Sequence, residues 1–151
     1  MAPAWDWSSG QGLLGLDDPA EWDAAFERGE TGVGTAVIGL VFHCTLAEVS
    51  PRIIRAMHLP DADRRGFAFT AAGHAARLNG ELTPELYEAL RAEGPGGFAV
   101  HAIRDTLTFV PFRKLPPWFK RRWVRQAVRD KLEAWWLHLA DAIEGARRIV
   151  R

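Results

Sequence analysis

The sequence predicts an all-α fold, a short stack of antiparallel helix pairs closed by a long amphipathic C-terminal helix. Three observations carry that prediction. Ser50-Pro51 and Thr83-Pro84 each pair a hydroxyl N-cap with proline at a first helical position, as a helix start prefers. Apolar residues recur at helical spacing from Thr35 to Val110 and again beyond Pro117. No run of alternating β-branched residues competes with this pattern.

Residues 1–20, rich in Gly, Ser, Pro and Asp, read as an irregular arm that Trp5 and Trp7 should dock on the body. Pro19, followed by Glu21-Trp22-Asp23-Ala24-Ala25-Phe26-Glu27, predicts a short helix with its acids favourably near the N-terminus. Gly29, Gly32 and Gly34 then break the chain.

Residues 35–110 read as a repeat core. Ser50-Pro51-Arg52-Ile53-Ile54-Arg55-Ala56-Met57 and Thr83-Pro84-Glu85-Leu86-Tyr87-Glu88-Ala89-Leu90 share one pattern at an offset of 33 residues. Gly66-Phe67-Ala68-Phe69 and Gly97-Phe98-Ala99-Val100 match at an offset of 31, and the same step leads back from His74 to His43. Three longer apolar helices, about 35–48, 62–78 and 97–109, therefore alternate with two shorter ones, about 51–58 and 84–92. Leu59-Pro60-Asp61-Ala62-Asp63, Asn79-Gly80 and Gly94-Pro95-Gly96-Gly97 supply the turns. In residues 61–79, Asp61 or Asp63 caps the start and Arg64 and Arg65 face water. Phe67, Ala71, His74 and Leu78 share one face, flanked by Ala68, Ala72 and Ala75. So many alanines suit a helix sandwiched between others, with Ala72 and Ala75 buried.

Pro111, Pro116 and Pro117 end this region, and Phe112-Arg113-Lys114-Leu115 reads as a bent connector. From Pro117, Val128, Leu132, Trp135, Leu139, Ile143 (or Ala142), Ala146 and Val150 follow steps of three and four. Residues 117–150 thus form one amphipathic helix, or two kinked near Asp130. Such a stripe suits a capping helix that seals the stack, and it is also narrow enough to pair with its own copy as a homodimer seam.

The stretch from Ser50 to Val110 resembles the HEAT-like helical repeats common in bacteria. Leu59-Pro60-Asp61-Ala62-Asp63-Arg64-Arg65, leading into Ala71-Ala72-Gly73-His74-Ala75-Ala76-Arg77-Leu78, carries the likeness: a Pro/Asp turn, an Arg, then an Ala-rich inner helix. The resemblance implies an α-solenoid that works as a non-catalytic binding surface, in some bacterial cases as an immunity protein beside a toxin.

A length of 151 residues suits a single domain, and 48 % apolar with 25 % charged residues excludes a largely disordered chain. The lone Cys44 excludes an intrachain disulfide and a multi-thiolate metal site, and reads as a small buried hydrophobe in an apolar helix. The opening MAPAWDWSSGQG lacks the basic start and apolar run of a secretory signal. A reducing, cytoplasmic setting is the expectation.

The formal net charge of zero hides a division: residues 1–112 hold 8 Lys/Arg and 15 Asp/Glu, and residues 113–151 hold 11 and 4. An acidic helical surface can block a basic active-site cleft through charge complementarity and fast association. The expected function is therefore a protein-binding module (immunity protein, inhibitor or adaptor) with Asp61, Asp63, Glu85 and Glu88 as its contact residues. The alternative is a peripheral membrane or nucleic-acid binder through residues 112–131. There Trp118, Phe119 and Trp123 interleave with Lys120, Arg121, Arg122, Arg125 and Arg129. A third reading is an enzyme using His43, His74 or His101 in a helical cavity. No histidine pair has metal-site spacing, Gly32-Val33-Gly34 lacks the features of a nucleotide loop, and no catalytic constellation, metal or cofactor is expected.

Overall fold

Asp18, Thr45, Asp61 and Thr83 each place a side-chain oxygen on the backbone N–H groups of the turn that follows, and a helix starts at each. The computed structural model describes residues 5–149 and contains no strand among them. Seven α-helices are present in order: α1 (Pro19–Arg28), α2 (Val33–His43), α3 (Leu46–Met57), α4 (Ala62–Asn79), α5 (Pro84–Glu93), α6 (Val100–Phe109) and α7 (Pro117–Ile149). Short 3-10 turns at Leu13–Gly15 and Phe112–Lys114 precede α1 and α7. The chain divides into two units, one ending at Leu115 and the other beginning at Pro116.

In the first unit α4 is the hub, packed against α2, α3 and α6. Its Ala68, Ala71, Ala72, Ala75 and Ala76 are fully buried, so the expectation for Ala72 and Ala75 holds. Close approach is visible at Gly73, where a Cβ would stand 3.4 Å from Cα of Ala102 in α6. The face assignment needs correction, however. Phe67 and Leu78 are exposed, and the buried stripe runs along the alanines and Phe69. Arg65 does not simply face water either: its guanidinium donates to the carbonyls of Leu59 (2.9 Å) and Pro60 (2.8 Å).

The helix boundaries before α4 also differ from the sequence reading. One helix was expected to run to residue 48 and another to start at Pro51; instead α2 ends at His43 and α3 begins at Leu46. Thr45 and Glu48 form a complete capping box, which satisfies two orphan N–H groups at once. Pro51 therefore lies inside α3 rather than at its first position. Cys44 sits at the end of α2, not within a helix, and its thiol approaches the Asp17 carbonyl at 3.4 Å.

The arm is anchored more deeply than its tryptophans suggested. Trp7 donates to Glu21 at 2.8 Å, but the fully buried groups are Leu13 and Leu16. Leu13 and Leu14 run their backbone against Gly39 of α2, where an added Cβ would collide with the Leu13 carbonyl oxygen. Trp22 of α1 is also fully buried, its indole N–H donating to the Val33 carbonyl at 3.0 Å.

The second unit holds α7, one continuous helix of 33 residues. Along α7 the apolar stripe includes Val128 (52 % exposed), Trp135 (58 %) and Ile143 (49 %). Val150, the last member of that stripe, lies outside the described residues.

Candidate functional site

An open cleft of about 540 Å³ lies where the first turns of α4 meet the turn into α6. Asp61 caps α4 by accepting from the Arg64 N–H at 3.0 Å, which fixes where the first turn begins. Asp63 then stands at the rim, and Ala62 and Gly66 leave room below it. Thr70, one turn further on, returns its hydroxyl to the Gly66 carbonyl at 3.1 Å.

The opposite wall is built by the glycine turn. Gly94 has φ 83°, a conformation open to glycine, and lets the chain leave α5 sharply. Glu93 accepts from the Phe98 N–H at 3.3 Å, and its carboxylate occupies the space that a Cβ on Gly97 would need. Phe98 is thereby held over α4. Its ring stacks on buried Phe69 (6.2 Å between centroids, 15° between planes), and Arg65 lies over it at 5.3 Å. Phe67, Phe98 and Val100 remain more than 40 % exposed, a concentration of apolar surface that water leaves readily when a partner covers it. His101 completes the rim, its Nδ1 3.0 Å from the Arg104 guanidinium.

A second group of rings continues along α4. His74 packs against Phe42 at 5.2 Å, and Arg77 lies over the exposed Phe109 at 5.1 Å. Among the described residues no group of three or more His, Cys, Asp or Glu side chains is arranged to hold a metal ion. Burial, followed by the negative charges of Glu48 and Asp17, pushes the Cys44 thiol above its usual range, the opposite of what a nucleophile needs.

Only Asp63 of the four acidic candidates lines the cleft. Asp61 is engaged as a cap, and Glu85 and Glu88 are exposed on α5, where Glu88 pairs with Arg91 at 3.3 Å. Their apolar partners Leu86 and Leu90 are buried, which turns both glutamates outward. Much of the remaining acidic charge is spent within the fold. Asp23 and Glu27 of α1 pair with Arg52 and Arg55 of α3, and Glu21 and Glu30 pair with Arg28. Asp63 and Glu85 form no ion pair among the described residues.

Of the basic candidates on α7, Arg121, Arg125 and Arg129 are exposed, and Lys120 and Arg122 are half-buried. Arg122 lays its guanidinium over Trp118 at 5.1 Å. Among the described residues no helix is long and apolar enough to cross a membrane. The sequence signal for the cleft was present as the paired Gly-Phe-Ala motifs, whose phenylalanines, Phe67 and Phe98, form its two walls. No family model matches the chain, and neither a curated protein nor a solved structure matches it.

Proposed function

We propose that the chain is a non-catalytic protein-binding module, an immunity protein, inhibitor or adaptor of bacterial origin. In this reading a HEAT-like stack of antiparallel helix pairs presents the cleft, and the protein acts in the cytoplasm. The observation that supports it best is the pairing of exposed Phe67, Phe98 and Val100 with the Asp63 carboxylate, which forms no ion pair among the described residues, in one open cleft. Apolar walls with a single acidic rim suit the side chain of a basic partner, such as a toxin or enzyme with a cationic cleft: rings take its aliphatic stem and the carboxylate its charge. Glu85 and Glu88 add outward acidic charge, which favours encounter more than affinity.

The test compares partner capture by the native chain with capture by Phe67→Asp and Asp63→Arg, the recovered proteins being identified by mass spectrometry. One stoichiometric basic protein, lost with both variants, is expected. Capture that is indifferent to both substitutions would remove the cleft from the reading. Both residues are exposed, so the variants should fold as the native chain does.

A further inference from the structure

The order of side chains around α7 selects a ligand of a different class from the cleft's. At about 100° per residue, Val124, Val128, Leu132, Trp135, Leu139, Ala142, Ile143 and Ala146 fall in one continuous stripe, and Trp136 widens it. Leu132 is 54 % exposed and Trp136 is 62 % exposed. Lys120 and Lys131 border one edge of this stripe, and Arg122, Arg129 and Arg147 border the other. Asp130, Glu133, Asp141 and Glu144 instead cluster in an arc of about 80° on the far side. Arg121 and Arg125 fall on the stripe's own line at its N-terminal end, next to Trp118.

We infer that α7 is an interfacial helix that lies in the surface of an anionic lipid bilayer, stripe downward. Long basic side chains at both borders can leave their stems in the acyl boundary and lift their charges to the phosphates, while the carboxylates stay in water. Each border cation adds attraction to an anionic leaflet. Charge decides against a second copy of α7 as the occupant. Self-pairing along this stripe would set basic borders beside basic borders, with the acidic residues behind and out of reach. A stripe widened by Trp136 and Ile143 also exceeds a two-residue heptad seam. The helix, roughly 50 Å long at 1.5 Å per residue, is long enough to lie flat across many headgroups.

The test uses the full chain with vesicles of phosphatidylcholine, plain or with about 30 mol % phosphatidylglycerol. Binding is followed by co-sedimentation, and depth by tryptophan quenching with lipids brominated on the acyl chains. The native chain should bind anionic vesicles at least roughly tenfold better than neutral ones, with salt weakening the binding. Leu132→Asp with Leu139→Asp should lose at least roughly tenfold, as should Arg129→Glu with Lys131→Glu and Arg147→Glu. Leu137→Asp, on the far side and 68 % exposed, should bind as the native chain does. Circular dichroism confirms that each variant keeps its helix content. The inference is overturned by absent vesicle binding, or by binding as sensitive to Leu137→Asp as to the stripe variant. Binding of an oligonucleotide without vesicles, or a dimer abolished by the stripe variant in a chain that ignores lipid, overturns it as well.

Discussion

The hydroxyl of Ser50 in α3 hydrogen-bonds the hydroxyl of Thr83 at the start of α5. These residues head the two segments of the sequence repeat, yet they play different parts. Thr83 is an N-cap, accepting from the Leu86 N–H at 3.3 Å, while Ser50 is a buried residue inside a helix. Removing the Thr83 hydroxyl therefore breaks a cap and a buried contact together. Thr83→Val should cost about 1–2 kcal/mol and Ser50→Ala about 1 kcal/mol in urea unfolding. Because the two share one bond, the double variant should cost less than the sum. Strict additivity would show that the contact contributes nothing.

Glycine substitutions separate the two close approaches in the first unit. Gly39→Ala pushes a methyl into the backbone of Leu13 and Leu14, which has nowhere to go, and should destabilise by about 1–3 kcal/mol. At Gly73 the nearest atom is the Asp105 carboxylate oxygen at 2.9 Å, the end of a side chain that can turn aside. Gly73→Ala should cost under about 1 kcal/mol, since better helix propensity offsets the crowding. Thermal unfolding ranks the pair, and a reversed order would contradict the packing of the arm on α2.

The Asp6 turn of the arm should persist until strongly acid pH. The hydroxyls of Ser9 and Ser8 and the Ser8 N–H hold the Asp6 carboxyl down at about 2, against an ordinary 3.8. A folded value below the unfolded one means that the turn is fully supported above the ordinary value. That support is lost as pH falls through about 2. Carboxyl titration by NMR should show this midpoint, and Ser8→Ala with Ser9→Ala should return it towards 3.8. A native midpoint near 3.8 would mean that the serines do not engage Asp6 in solution.

Helix content and the starts of α4 and α5 were legible because Asp61 and Thr83-Pro84 are local signals, complete within one turn. The α2–α3 boundary was not. Ser50-Pro51 imitates a helix start as well as Thr83-Pro84 does, and the Thr45–Glu48 capping box that prevails lies upstream of it. Leu13 and Leu16 were missed because two leucines in a Gly-rich arm carry no periodicity. On α7 the stripe could be read residue by residue, but periodicity tells which side chains share a face and not what covers that face. The same limit put Phe67 on a core face, although its exposure makes it a wall of the cleft.

Arg52 tests how far the acidic charge is consumed within the fold. Its side chain donates to the Pro19 carbonyl (3.2 Å) and to Asp23 (3.1 Å), joining α3 to α1. Arg52→Met should lower stability by about 1–3 kcal/mol, most of it from the partners left unpaired. Capture of a protein partner at the cleft should be unaffected. A stable Arg52→Met variant that no longer captures the partner would relocate the interface to α1 and α3.

Photo-crosslinking tests the central claim most directly: p-benzoylphenylalanine is placed at Phe67 in the full chain, inside the cells it comes from, with Arg91 on α5 as the control position. A single protein adduct at position 67, absent at 91 and abolished by Asp63→Arg, is the predicted result. Adducts at 91 with none at 67, or an adduct at 67 that ignores the charge of residue 63, would contradict the cleft as the binding site.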